Sequence, residues 1–112
     1  MKFNSEIKEQ TLILHFEGDL IGEDNGLDII EQVNEAQQKG IIRCIVDISG
    51  LRYINSSGIG VLITILTKFR NKGGEIYLVN PSESVKKLLI ITKLNAIFNI
   101  SESLEEALKS IK

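Results

Sequence analysis

Apolar residues crowd most densely between Ile41 and Phe69, and their period changes partway along. Ile41, Ile42, Cys44, Ile45, Val46 and Ile48 form a near-continuous, β-branched run, which suits a strand covered on both faces. A loop follows over Ser49–Asn55. Beyond it Ile59, Val61, Leu62, Ile63, Ile65, Leu66 and Phe69 cover more than one face of a helix, so this helix should pack into the core. Lys68, Arg70 and Lys72 crowd its end, where cations suit the helix dipole, and Gly73 is placed to terminate it.

The flanking segments are shorter and clearer in period. Lys2–Lys8 puts Phe3 and Ile7 on one side. In Thr11–Glu17, Leu12, Leu14 and Phe16 alternate with Ile13, His15 and Glu17. The short link between the two predicts an antiparallel hairpin. Gly18–Gly26, with three glycines and three acids, is expected to be a loop. A helix over Gly26–Lys39 is expected next, capped by Asp24 or Asn25. Its stripe is Leu27, Ile30, Val33 and Asn34, with Ile29 and Ala36 at the margins, and Gly40 ends it. Downstream, Glu75–Val79 is a strand and Asn80-Pro81 opens a helix with Val85, Leu88, Leu89 and Thr92 on one face. A last strand is expected over Ile97–Ile100. Ser103 and Glu106 form a capping box for a final helix striped by Leu104, Ala107, Leu108 and Ile111.

The predicted order is ββαβαβαβα. Alternation after the hairpin calls for parallel pairing with right-handed crossovers. The fold class is therefore α/β: one domain over residues 1–112, a mixed and mostly parallel sheet packed by amphipathic helices. The 112-residue length suits a single core. A net charge of −2 with scattered basic residues argues against a nucleic-acid surface. The N-terminal MKFNSEIKEQ lacks a signal-peptide core, and no apolar run approaches the ~18 residues of a membrane span. The expectation is a cytoplasmic protein without membrane insertion. Cys44, the lone cysteine, sits in an apolar strand and reads as an inert buried thiol. His15 reads as a polar residue on the less buried face of its strand.

Ser56-Ser57-Gly58 stands where the central helix begins. A helix start carries unpaired N–H groups and partial positive charge. A serine there can be a plain cap. A phosphorylated serine there would add roughly −1.5 to −2 charges. Catalytic alternatives fail on spacing. Gly58-x-Gly60 opens a helix after a strand, but Ile63 stands where a dinucleotide fingerprint needs its third glycine. Asn55 and Ile59 flank Ser57 where a nucleophile elbow needs glycines. Ser57, His15 and Asp47 could be drawn as a triad, but no spacing supports it. Histidine and cysteine are too few for a metal site. Neither cofactor nor metal is expected, and the chain does not read as an enzyme.

The stretch DISGLRYINSSGIGVLITIL resembles the signature of STAS domains, in particular of bacterial anti-sigma factor antagonists. GGEIYLVNPSESVKKLLIITKLNAIF is similar to the family's fourth strand and following helix, and the hairpin and final helix also fit. The resemblance implies a switch that binds an anti-sigma factor with serine kinase activity of the GHKL ATPase type and so frees a sigma factor. The kinase would phosphorylate the second serine, Ser57, and a PP2C-type phosphatase would reset it. Ser56 would cap the helix and Ser57 would present its hydroxyl. The partner surface is expected at Asp19, Glu23, Asp24, Tyr53, Ile54, Asn55, Ser56, Ser57 and Gly58, where loops gather at one edge of the sheet. Ile54 could equally tuck into the core. Two positions depart from the family pattern. Asn55 stands where the family often has Asp. Ile21 stands where many antagonists have an acid, with Glu23 and Asp24 close behind. These departures leave open a second reading: a constitutive, unphosphorylated interaction subunit of a larger signalling or lipid-transport assembly.

Overall fold

The sheet is assembled in chain order. A computed structural model describes residues 1–111, apart from the side chain of Asp24. Strands β1 (Lys2–Lys8) and β2 (Thr11–Leu20) form the antiparallel hairpin. Strands β3 (Arg43–Ile54), β4 (Glu75–Val79) and β5 (Asn99–Ser101) add in parallel, giving the spatial order β1-β2-β3-β4-β5. Helices α1 (Gly22–Gln38), α2 (Ser56–Asn71), α3 (Glu83–Ile91) and α4 (Leu104–Ser110) are the connections and the tail, with a one-turn 3-10 helix at Leu94–Ala96. The observed order is ββαβαβαβα, as the periodicity predicts.

Period-two alternation splits the strands between two cores. Leu12, Leu14 and Phe16 of β2, Cys44, Val46 and Ile48 of β3, and Ile76 and Leu78 of β4 join Ile29 and Val33 of α1 and Leu62, Ile65 and Phe69 of α2 in the larger one. Val85 and Leu89 of α3 belong to it too. Ile13, Ile45 and Val79 form the smaller one with Ala107 and Ile111, from α4 and just beyond it. This two-sided burial is what the continuous apolar run of β3 encodes.

Several boundaries differ from expectation. The segment Gly18–Gly26 is not a loop: β2 continues through Leu20 and α1 begins at Gly22. Ser49–Asn55 is not a loop either, because β3 continues to Ile54. Each extension supports the other. Asp19 pairs with Tyr53 and Leu20 with Ile54 after register shifts at His15/Glu17 and Gly18/Asp19, and Gly18 takes the positive φ of +98° that such an irregularity favours. Asp24 and Asn25 consequently lie inside the first turns of α1 rather than capping it, and Ile21 occupies the cap position without a side-chain hydrogen bond. The buried stripe of α1 is Ile29, Val33 and Ala36, whereas Leu27 is 86% exposed. Helix α3 starts at Glu83, not at Pro81. Ser82 caps it by accepting from the Val85 N–H, while Asn80 turns left-handed and donates its N–H to the Ser101 carbonyl at 2.8 Å. The last strand is shifted to Asn99–Ser101 because the 3-10 turn occupies the chain just before it. Ser103 caps α4 as expected, accepting from the Glu106 N–H at 3.2 Å.

Candidate functional site

The extended ends of β2 and β3 deliver α1 and α2 to the same place. The Asn55 N–H donates to the Leu20 carbonyl at 3.2 Å, tying the two strand ends together. Gly58 then faces that same carbonyl so closely that a Cβ would overlap it. A Cβ on Gly22 would likewise overlap the backbone of Ser57. Two glycines, one at each helix start, let the backbones approach within hydrogen-bonding range of each other's first turn.

One hydroxyl occupies the junction. Ser57 Oγ accepts the Gly22 N–H at 3.0 Å and lies 2.6 Å from Glu23 Oε2 and 2.9 Å from Asn55 Oδ1. Its single proton can serve one of the two oxygens at a time. Asn55 caps α2, its Oδ1 accepting the Gly58 N–H at 2.8 Å. Ser56 therefore does not cap the helix, contrary to the expectation above. It is the first helical residue, and it is exposed. Asn and Ser are comparable caps, and the chain geometry decides which oxygen reaches the open N–H. Glu23 is an exposed carboxylate held below its ordinary pKa, chiefly by the hydrogen bond from Ser57, with its own backbone N–H and Asn55 assisting against a small desolvation cost.

The remaining expected site residues divide. Tyr53 is 54% exposed beside the junction. Asp19 is paired with Arg52 at 3.5 Å. Gly58 is buried as the close-approach residue. Ile54, at 1% exposure, belongs to the core and offers no contact surface, because strand alternation turns it toward the helices. The side chain of Asp24 lies outside the described residues. Sequence reasoning missed Gly22, whose N–H meets Ser57 from thirty-five positions away, and a groove between α1 and α2. That groove runs from Ser57 and Glu23 along Leu27, Ile30, Val61 and Thr64. The Ile29, Val33, Ala36 spacing was the signal that could have turned Leu27 outward.

A second polar cluster lies on the sheet. His15 Nδ1 is 2.9 Å from Asp47 Oδ2 and its Nε2 is 3.1 Å from Glu6 Oε2. Asp47 Oδ1 also accepts from the Ser49 hydroxyl and N–H. This cluster shares no member with the Ser57 contacts, so His15, Asp47 and Ser57 form no triad. Among the described residues, no group of three or more His, Cys, Asp and Glu is arranged to hold a metal, and no helix is long and apolar enough to cross a membrane. Burial pushes the Cys44 thiol far above its ordinary pKa, as suits a packing residue.

A STAS domain family model matches residues 2–107. A Thermotoga neapolitana protein, provisionally named an anti-sigma factor antagonist, is 33% identical over 79 residues, covering 70% of each chain. The crystal structure of a Thermotoga maritima protein under the same provisional name superposes with a TM-score of 0.87 at 28% identity, covering 97% of this chain and 93% of that one. The phosphorylated form of the Bacillus cell fate determinant SpoIIAA shares the fold, with a TM-score of 0.76 at 22% identity over 96% of this chain and 97% of its own.

Proposed function

The chain belongs to the STAS domain family, and from that footing we propose that it is an anti-sigma factor antagonist switched off by phosphorylation of Ser57. In this reading it binds, in the cytoplasm, an anti-sigma factor that is also a GHKL-type serine kinase, and a sigma factor is released. ATP-dependent phosphorylation at Ser57 breaks the complex, and a PP2C-type phosphatase restores it. The protein acts by binding and carries out no turnover of its own.

The observation that carries the reading is the Ser57 hydroxyl. It sits in the first turn of α2, on an open corner, held by a backbone N–H and by two oxygens that compete for its proton. Exposed Tyr53, near the end of β3, and exposed Leu27, in the groove that starts at Ser57, offer apolar contact area, and aromatic anchors often dominate interfaces. A near-dianion at the centre of such a patch would oppose a partner through repulsion and desolvation, without a large change of shape.

The test is binding of wild type, Ser57→Ala and Ser57→Asp to the anti-sigma factor captured from the native cell and then purified. Ser57→Ala should bind within about tenfold of wild type, since one hydroxyl accounts for roughly 0.5–1.5 kcal/mol. Ser57→Asp should bind more weakly than Ser57→Ala. With ATP present, mass spectrometry should find phosphate on Ser57 and not on Ser56. Equal affinity for all three forms would remove the switch and leave the constitutive interaction subunit as the better account.

A further inference from the structure

Glu23 lies outside the Ser-Ser-Gly motif, on the neighbouring helix, yet it makes the shortest contact of the Ser57 hydroxyl, 2.6 Å. Asn55, which stands where the family often has Asp, contributes only a neutral amide oxygen at 2.9 Å. The negative charge of the junction therefore comes from α1. It is carried on an exposed side chain that can swing away without disturbing the core. We propose that Glu23 is the positioning residue of the switch: it holds the Ser57 hydroxyl in the unmodified protein and is driven off by the phosphate in the modified one. A single modification then alters the surface at two helices. The inference rests on the reading that Ser57 is phosphorylated.

The chemistry forces the exchange. Transfer of the γ-phosphoryl group of ATP forms an Oγ–P bond, breaks the bond to the departing ADP and releases the Oγ proton to the kinase or to solvent. Without that proton Ser57 has nothing to donate to Glu23. The attraction at 2.6 Å is replaced by repulsion between a carboxylate and a group carrying roughly −1.5 to −2 charges. Among the described residues no cation is a hydrogen-bond partner of Ser57 to absorb the charge, and Arg52, on β3, is engaged with Asp19 of β2. The Gly22 N–H, which depends on Ser57 Oγ because Ile21 provides no side-chain cap, remains as the group that can face the phosphate.

Phosphoserine placed genetically at position 57 or at position 56 of the full chain tests this without any kinase. The readouts are ¹³C titration of the Glu23 carboxyl and ³¹P titration of the phosphate. In the unmodified protein Glu23 should titrate below the ordinary glutamate range. With phosphoserine at 57 its midpoint should rise, whereas phosphoserine at 56 should leave it low. Ser57→Ala in the unmodified protein should also raise it, by removing the donor. In the protein phosphorylated at 57, Glu23→Gln should lower the second pKa of the phosphate, as removing a like charge requires. The proposal is overturned if Glu23 titrates alike in the unmodified, 56-phosphorylated and 57-phosphorylated proteins, or if Glu23→Gln leaves the ³¹P curve of residue 57 in place. Either result would leave untouched the question of whether a kinase modifies Ser57, which the binding comparison answers separately.

Discussion

Two polar clusters of similar make-up do different work in this fold. In one, the Ser57 hydroxyl lies among a carboxylate, an amide and a backbone N–H at the starts of α1 and α2. In the other, the His15 ring lies between Asp47 and Glu6, with Ser49 bound to the same aspartate. The second cluster sits across adjacent strands: Asn4 pairs with His15 and His15 with Asp47 in the sheet register. Its contacts connect β1, β2 and β3, and they read as cross-strand stabilisation. The first cluster sits where two strands end and the helices depart, beside exposed Tyr53 and Leu27. Similar side chains fasten a sheet in one place and gather round a half-buried hydroxyl at a corner in the other. The difference lies in what the backbone does around them.

The strongest way to break this contrast is to deny the backbone its close approach. Gly58→Ala puts a methyl group against the Leu20 carbonyl, with the Ile54 side chain also in the way. Alanine in a helix would otherwise be favoured over glycine by about 1 kcal/mol. Overpacking against backbone should outweigh that and cost about 3 kcal/mol. A chemical-denaturation midpoint that stays put or rises would show that the two helix starts are not held by contact at this glycine.

A smaller effect belongs to the sheet cluster. Burial pushes the Asp47 carboxyl up, but hydrogen bonds from the Ser49 hydroxyl and N–H, together with His15, outweigh it and hold the group below its ordinary value. Stability from such a group is fully present above the unfolded carboxylate pKa of about 4, and it is lost as pH falls through the depressed folded value. Asp47→Asn should cost about 1.5 kcal/mol at neutral pH, at the low end for charge-assisted bonds because the group is partly solvated. Its stability should also fall less on acidification below about pH 4 than that of wild type. Affinity for the proposed anti-sigma factor partner should hardly change. If Asp47→Asn abolished binding while leaving the fold intact, the roles assigned to the two clusters would have to be exchanged.

The order of elements was legible because each has its own period: alternation in β2, a saturated run in β3, helical stripes in α2 and α4. The motif at Ser56-Ser57-Gly58 was legible because it is local. What the chain did not disclose is what depends on pairing between distant segments. Neither Gly18–Leu20 nor Ser49–Ile54 reads as strand by itself, yet each becomes one because the other lies alongside. Glu23 and Gly22 reach Ser57 across thirty-four and thirty-five positions, a proximity that only the parallel β2–β3 pairing creates. Leu27 fits a stripe with Ile30 and Asn34 by spacing alone, and only packing against the sheet and α2 shows that Ile29, Val33 and Ala36 are the buried face instead. Glu23 and Asp24 lie in a glycine-rich, acidic stretch that carries no helical stripe, yet they belong to the first turn of α1, which starts four residues before the expected Gly26.

The smallest effects concern neighbours in the motif, and they test whether the cap is assigned to the right residue. Asn55 Oδ1 receives the Gly58 N–H, so Asn55→Ala should lower stability by about 1 kcal/mol, the usual scale for a lost cap. Among the described residues Ser56 has no side-chain hydrogen-bond partner, and it is exposed at the first helical position. Ser56→Ala therefore removes nothing that the helix start depends on and introduces the best helix former, so its effect should fall within about 0.5 kcal/mol of zero. The pair separates two pictures of the tandem serines. If Ser56 were the cap, its loss would be the costly one and Asn55→Ala nearly silent. With Asn55 as the cap, the order is reversed and Ser56 is left as an exposed neighbour with no part in the cap. Thermal unfolding of the two single variants decides between the pictures, because a shared denatured-state contribution would move both in the same direction and could not invert their order.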